Sequence, residues 1–416
     1  MTRQRLDLYL STRALGLCHT ADVVLEEENS SITRVGFRYR PQYLEHPRAF
    51  ALDPAQLPLR EGETQLTCQG GQPAFIDDYL PDLWGRRILA KLAAQSRHRH
   101  YDANSVLDSL ALMGSSRIGA ISLVPRGHDP IYDIGQPLER LADAEQAAQQ
   151  VDDPAGTFLS TDENPDIARL LYLANSGTGV GGARPKALLY DDNAYYLAKF
   201  NRRHGDDYNN ARVELACLRM ARDAGLKVGE GRVTPGINGR EVLLLERFDL
   251  ETPAARHHLV TINGLLKNPA SQRDIGAPFR YDTVHEVLQR FSVAIAEDLA
   301  QLVTLMLFNS SINNTDDHER NVSLIQRGDG YRLAPAYDLV PSIVTGAYHA
   351  AGFGWQPDPP RPSQAPQLGR IFGLARGEVQ AIADRVTAAV ARWPTHAGAA
   401  GVTDADAALV ERHLRT

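Results

Sequence analysis

The sequence predicts an α+β fold of two lobes, a sheet-bearing first lobe and a helical second one, preceded by a small mixed α/β domain. Three observations carry this expectation. Four glycines crowd the stretch Ser176-Gly-Thr-Gly-Val-Gly-Gly-Ala183, which leads into a strand, a turn, a second strand and an amphipathic helix. From Thr283 to Met306 apolar residues recur at helical spacing. Directly after them, Asn313-Asn-Thr-Asp-Asp-His-Glu-Arg-Asn-Val-Ser323 packs acid, amide and base side chains ahead of a predicted hairpin.

Composition bounds the function. The chain has 416 residues, enough for two or three cores, and its 43% hydrophobic and 23% charged content is that of an ordinary globular protein. A formal charge of -7 argues against binding nucleic acid through the overall field, so contact with DNA is expected only through a partner. Cys18, Cys68 and Cys217 are far apart and lack metal-ligand spacing, which fits a reducing cytoplasm. Neither a signal peptide nor a membrane span is read. Only five of the 44 basic residues are lysine, so Lys186 and Lys199, close to the glycine loop, draw notice.

Residues 1–125 read as the mixed domain: period-two strands such as Val35–Tyr39, a helix over Gly85–Ala94 led in by Pro81, another over Ser105–Met113 ended by Gly114, and a strand over Ile118–Val124. Residues 126–166, with prolines around one polar helix from Leu138 to Val151, read as a connector. Residues 167–249 form the first lobe. Lys186–Tyr190 and Ala194–Phe200 make a hairpin about Asp191-Asp-Asn193, and Asn210–Gly225 is a helix with asparagine and glycine as its caps. Strands follow at Arg232–Thr234 and Glu241–Glu246, before Arg247-Phe-Asp249. In residues 250–416, the segment up to Arg280 reads as loop with a short helix. One or two core helices come next, then a hairpin over Val322–Ile325 and Tyr331–Leu333, a mobile proline-rich loop over 344–370, and a helical end that packs Trp393.

The chemistry follows from spacing. Glycines permit backbone N–H groups to approach phosphate oxygens, which makes Ser176, Gly177, Thr178, Gly179, Val180 and Gly181 a phosphate cradle, with a plain flexible turn as the competing reading. Lys199 on the second strand stands where a kinase keeps the lysine that grips α/β-phosphates, and Glu214 on the following helix is placed to pair with it. Asp316 and Asn321 show the Asp-x-x-x-x-Asn spacing of a kinase catalytic loop. There the aspartate takes the proton of the acceptor hydroxyl and the asparagine holds Mg²⁺. Asp338 returns beside Asn321 across the hairpin as a second Mg²⁺ oxygen donor.

Leu80-Pro-Asp-Leu-Trp-Gly85, Arg117-Ile-Gly-Ala120, Gly182-Ala-Arg-Pro-Lys186, Glu246-Arg-Phe-Asp249, Asn314-Thr-Asp-Asp-His-Glu-Arg-Asn321 and Tyr337-Asp-Leu339, in this order along the chain, resemble the HipA family, serine/threonine kinase toxins of bacterial toxin–antitoxin pairs. The resemblance implies a two-lobed kinase domain distantly similar to phosphoinositide kinases, with ATP and Mg²⁺ as cofactors. Asp316 would be the base, His318 a loop residue, Arg320 a transition-state charge, and Asn321 and Asp338 the metal ligands. Lys186 and Lys199 would serve the phosphates, and the backbone of Glu246 and Phe248 the adenine. It also implies a helix-turn-helix antitoxin (HipB-like) and an aminoacyl-tRNA synthetase substrate, first of all glutamyl-tRNA synthetase. One position departs from the family: Gly179 stands where an autophosphorylated serine is common, which leaves Ser176 and Thr178 as the loop's hydroxyls.

Three other readings compete. An aminoglycoside-type small-molecule phosphotransferase uses a similar Asp-x-x-x-x-Asn loop. A co-repressor subunit with a vestigial nucleotide site would have no need of these polar residues. A metal hydrolase built on Asp316, Asp317, His318 and Asp338 lacks a second histidine and leaves the glycine loop and Lys199 unexplained.

Overall fold

The computed structural model describes residues 1–69, 71–95, 101–113, 118–130, 132, 134–152, 184–202, 205–270, 278–344 and 346–416. The expected glycine cradle, including Ser176 to Gly181, the apolar run before it, and Gly114 and Arg117 lie outside them.

The amino-terminal domain is built on an antiparallel sheet whose strands run, edge to edge, Thr64–Thr67, Ser31–Tyr39, Gly16–Glu28, Thr2–Thr12 and Ile121–Pro125. Alternation decides which face is buried. Leu6, Leu8 and Leu10 sink into one core with Val23, Leu25, Val35 and Phe37. The short Ala74–Asp77 helix and the Val106–Leu112 helix flank this sheet. Ser105 caps the latter by accepting from Asp108 N, and its first-turn N–H groups at Val106 and Leu107 are taken by buried Glu27 at 2.8 and 3.2 Å.

The first lobe is a five-stranded sheet in the order Gln136–Pro137, Lys186–Tyr190, Tyr195–Phe200, Glu241–Glu246, Gly231–Pro235. Two segments assigned elsewhere by sequence belong to it. The expected connector supplies the edge strand Gln136–Pro137, parallel to Lys186–Tyr190. It also supplies the Leu141–Asp152 helix, whose Ala144, Ala147 and Ala148 pack on the sheet. On the same face lies the Leu83–Gln95 helix of the amino-terminal part, burying Trp84, Ile88, Leu89 and Leu92 against Ala187, Tyr196, Ala198, Phe200, Val242 and Leu244. Each such side chain contributes roughly 1.5–3 kcal/mol when buried. These are apolar faces that a boundary drawn from composition leaves without a partner.

The Asn210–Asp223 helix covers the opposite face. Its cap is Asn209, which accepts from Arg212 N, so Asn210 is the first helical residue and not the cap. Gly225 at φ +90° lets the chain leave it. Val213, Cys217, Ala221 and Ala224 are fully buried, as their spacing predicts.

The second lobe centres on the Tyr281–Phe291 and Ile295–Ser311 helices, joined by the Arg376–Ala391 and Trp393–Ala400 helices in the largest core. Trp393 is buried and donates to Ala407 O at 3.1 Å. The segment before Arg280 is more ordered than expected. Leu259–Thr261 pairs with Ser323–Arg327, which pairs with Gly330–Leu333, and Thr261 caps the Ile262–Leu266 helix.

The proline-rich segment is packed where a mobile loop was expected. Ala351 and Ala365 are fully buried. Polar atoms supply what the prolines cannot: Gly354 N donates to Asp282 Oδ2 at 2.8 Å and His349 N to Asp358 Oδ1 at 3.1 Å. Among the described residues no helix is long and apolar enough to cross a membrane.

Candidate active site

A cavity of about 380 Å³ separates the first-lobe sheet from the second lobe, and its size suits a small-molecule ligand. Strand alternation explains its roof. In Tyr195–Phe200 the buried residues Tyr196, Ala198 and Phe200 face the Trp84 helix, which leaves Leu197 and Lys199 to line the cavity. Leu245 and the linker Glu246 to Asp249 form one end. Asn314, Thr315, Asp316 and Asp338 form the floor.

Lys199 is the electrostatic centre. Its Nζ donates to Glu214 Oε1 at 2.6 Å and also bonds Asp338, so one ammonium links the sheet, the helix behind it and the second lobe. Burial alone would lower its pKa, but the Asp338 and Glu214 carboxylates outweigh burial and raise it, keeping the ammonium charged. For Asp338 burial pushes the carboxyl up and Lys199 more than reverses it, so the carboxylate persists. Lys186, paired in register with Lys199, would place two like charges side by side. It is held instead by Asp82 Oδ2 at 2.7 Å, from the amino-terminal part of the chain.

Backbone strain marks the floor. Asn313 at φ +54° and Asp338 at φ +55° are left-handed without being glycine. Both are tied down. Asn313 Nδ2 donates to Ser342 O at 2.6 Å, and Asn314 Nδ2 donates to Asp338 O and to Asn309 Oδ1, each at 3.1 Å.

Asp316 projects its carboxyl toward solvent at the cavity mouth, with 82% of the side chain exposed, and His318 Nε2 lies 3.6 Å from its Oδ1. His318 Nδ1 accepts from Arg320 N, which makes it the cap of the Glu319–Asn321 turn. Asn321 donates its amide N–H to Asp316 O at 2.8 Å, while its Oδ1 is buried without a donor among the described residues. A buried amide oxygen without a donor is the kind of ligand a hard cation takes, but Asn321, unlike Asp338, is not among the residues that line the cavity.

Arg320 is placed differently from its expected role. Its guanidinium bonds Asp77 Oδ2 at 2.7 Å and does not line the cavity. Asp317, adjacent to Asp316, turns inward. It accepts from Tyr281 Oη at 2.9 Å, His349 Nδ1 at 3.0 Å and Ala351 N at 3.1 Å, so it is unavailable for a metal set with Asp316 and His318. Glu246 and Phe248 both reach the cavity. The Glu246 N–H is used by Glu230 O at 2.8 Å and the Phe248 carbonyl by Arg327 at 2.9 Å.

Sequence reasoning missed Asp77, Asp82, Tyr281 and Asn309, and named Asp317 only as a ligand in the metal-hydrolase reading. Asp82 sits inside Leu80–Gly85, the stretch already singled out, but nothing local names its partner. The cradle residues Ser176, Gly177, Thr178, Gly179, Val180 and Gly181 lie outside the described residues.

A family model for the HipA-like C-terminal domain matches residues 178–393, and one for the HipA N-terminal domain matches residues 22–124. "Putative kinase Y4mE" of Sinorhizobium fredii is 26% identical over 330 residues, 74% of this chain and 73% of that protein. "Toxin YjjJ" of Escherichia coli is 24% identical over 292 residues, 66% of this chain and 60% of that protein. Among solved structures, HipA of Shewanella oneidensis MR-1, in a complex with HipB and operator DNA, superposes with a TM-score of 0.68 at 18% identity. The match covers 98% of this chain and 94% of that one, so the two share the two-lobed kinase-like fold.

Proposed function

Since the chain belongs to the HipA family, we propose that it is an ATP- and Mg²⁺-dependent protein kinase, acting on serine or threonine hydroxyls as the toxin of a toxin–antitoxin pair. The observation that carries the reading is the Lys199 ammonium bonded to both Glu214 and Asp338 across the cavity from Asp316. That arrangement supports reading Lys199 as the phosphate grip, Glu214 as its helix partner and Asp338 as the metal carboxylate of a phosphoryl-transfer site.

In this reading ATP enters between the lobes. The adenine edge meets the two linker groups left over, the Glu246 carbonyl and the Phe248 N–H, with Leu197 and Leu245 against the ring. Lys186 and Lys199 face the phosphates. Asn321 Oδ1 and Asp338 would hold Mg²⁺, which when bound neutralises charge on the phosphate oxygens. Asp316 accepts the proton of the acceptor hydroxyl as its oxygen forms the new bond to the γ-phosphorus; the bond to the bridging oxygen breaks, and ADP departs with that electron pair. Asp316 suits the task because it is open to an incoming protein side chain and is steadied by its main-chain bond to Asn321.

The substrate class and the partner rest on the family resemblance: an aminoacyl-tRNA synthetase, glutamyl-tRNA synthetase first, and a small helix-turn-helix antitoxin like the HipB of the Shewanella complex. The formal charge of -7 supports DNA contact through that partner and not through this chain. Incubation with radiolabelled ATP, Mg²⁺ and a panel of purified synthetases tests the reading. Label on a synthetase serine or threonine is expected. Label on an aminoglycoside with none on protein would overturn it in favour of a small-molecule phosphotransferase.

A further inference from the structure

In a two-lobed kinase-like molecule a single linker usually lets the lobes swing about the nucleotide. Here that linker runs from Glu246 to Asp249, between the last cavity-side strand and the second lobe. The amino-terminal part of the chain touches it from behind: Gly119 N donates to Asp249 Oδ2 at 2.6 Å, and Ile118 borders the cavity.

The same part of the chain crosses between the lobes a second time. On one side, the Ala74–Asp77 helix is locked to the second lobe. Asp77 accepts from Arg320 at 2.7 Å and Asn263 at 2.8 Å, and Lys267 lies 2.6 Å away. Asp78 takes both Thr261 N at 2.7 Å and Thr261 Oγ1 at 2.6 Å. The contact is close, since a Cβ at Gly264 would stand 2.8 Å from the Cβ of Ala74. On the other side, the Leu83–Gln95 helix is buried in the core under the first-lobe sheet, and Asp82 just before it holds Lys186. Only Tyr79 to Pro81 separates the last anchor on one side, Asp78, from the first on the other, Asp82, and Leu80 and Pro81 are buried. A tie this short, stiffened by proline, cannot absorb a large swing.

We infer that the Asp77–Asp82 segment is a second tie between the lobes, and that its two terminal acids are positioning residues for phosphoryl transfer. Asp77 fixes the turn that carries Asn321 through Arg320, and Asp82 fixes Lys186 on the roof. The inference rests on the proposed kinase reading for its chemistry, but the tie itself is testable without it. The positions of both Arg320 and Lys186 then depend on an element outside either lobe, which leaves the cavity formed before nucleotide arrives.

Hydrogen–deuterium exchange on the full chain, with Asp77→Asn and Asp82→Asn beside the parent, tests the tie. Asp77→Asn should speed exchange several-fold in peptides spanning 314–322, and Asp82→Asn in peptides spanning 186–200, with the remaining peptides unchanged. Turnover then separates the roles: Asp77→Asn should lower kcat about tenfold at little change in nucleotide affinity, and Asp82→Asn should weaken binding of a fluorescent ATP analogue. Parent-like exchange in both folded variants, or a rise spread evenly over the chain, overturns the tie. If Asp77→Asn does not fold, Arg320→Gln breaks the same pair from its other end and is read in the same way; loss of the fold in both would make the contact core structure and overturn the inference. Local exchange changes in a parent protein that transfers no phosphate would keep the tie and reject the kinase reading.

Discussion

Asn321 reaches back five residues to donate its side-chain N–H to the main-chain carbonyl of Asp316 at 2.8 Å, and this bond decides which end of its amide remains to bind something else. The N–H is spent on the loop. The oxygen is buried without a donor among the described residues, and in the proposed reading it is the end that meets the cation. Replacing Asn321 by Leu should therefore remove a cation ligand and loosen the Asp316 backbone together. Turnover measured across a Mg²⁺ titration should fall steeply and should not recover at saturating metal. Recovery to the parent rate at high Mg²⁺ would limit the residue to metal affinity alone.

Asp316→Asn should separate binding from chemistry. The carboxyl is exposed at the cavity mouth and bonds neither Lys199 nor the linker among the described residues, so nucleotide affinity by calorimetry should stay near the parent value. Phosphoryl transfer should fall by about 10²–10⁴, the usual contribution of a positioned base. Near-normal turnover would remove Asp316 from its role.

Lys199→Met should cost stability as well as activity. It leaves the buried Glu214 and the Asp338 carboxyl facing each other without a cation. Breaking a buried pair from one side typically costs about 3–5 kcal/mol. Denaturant unfolding at neutral pH should report a loss of that order, and part of it should return as acid protonates the stranded carboxyls. A loss that does not change with pH would mean that packing, not charge, is what the lysine supplies.

Asp78 gives a pH dependence of the opposite sense. Burial first, then the neighbouring Asp77 charge, raises its pKa to about 7, against about 3.9 in an unfolded chain. The folded state thus holds a proton that the unfolded state releases. Its contribution to stability is complete below about pH 4, declines as pH rises, and is gone above about pH 7. Relative to Asp78→Asn, the parent should lose unfolding free energy steadily across that interval and level off beyond it. A difference between the two proteins that is constant from pH 4 to 8 would contradict the assignment.

What sequence could show depended on how far apart the partners lie. That Lys199, Glu214 and Asp316 meet at one cavity was legible because spacing along a hairpin, a helix and one loop brings them there. The strand pair and the Asn210–Asp223 helix were legible for the same local reason. Arg320 was not, because its partner Asp77 lies 243 residues earlier and nothing in either segment names the other. The proline-rich segment was misjudged because composition counts apolar residues, whereas this segment is fastened by single polar atoms on Asp282, Asp317 and Asp358. The connector was misjudged because a two-residue parallel edge strand has no periodicity to detect.

The helix that buries Trp84, Ile88, Leu89 and Leu92 has a bearing on how the chain is made. Its partners, from Ala187 to Leu244, leave the ribosome roughly 100–160 residues after it, a delay of about 5–30 s at ordinary rates of synthesis. The sheet of residues 1–125 has its own interior and can close early. The helix cannot. Its apolar face must wait in water, or against a chaperone, until the hairpin that carries Lys186 and Lys199 arrives to cover it. The roof of the cavity and the burial of this amino-terminal helix are therefore completed in the same event, while the floor, from Asn314 to Asp338, is added later.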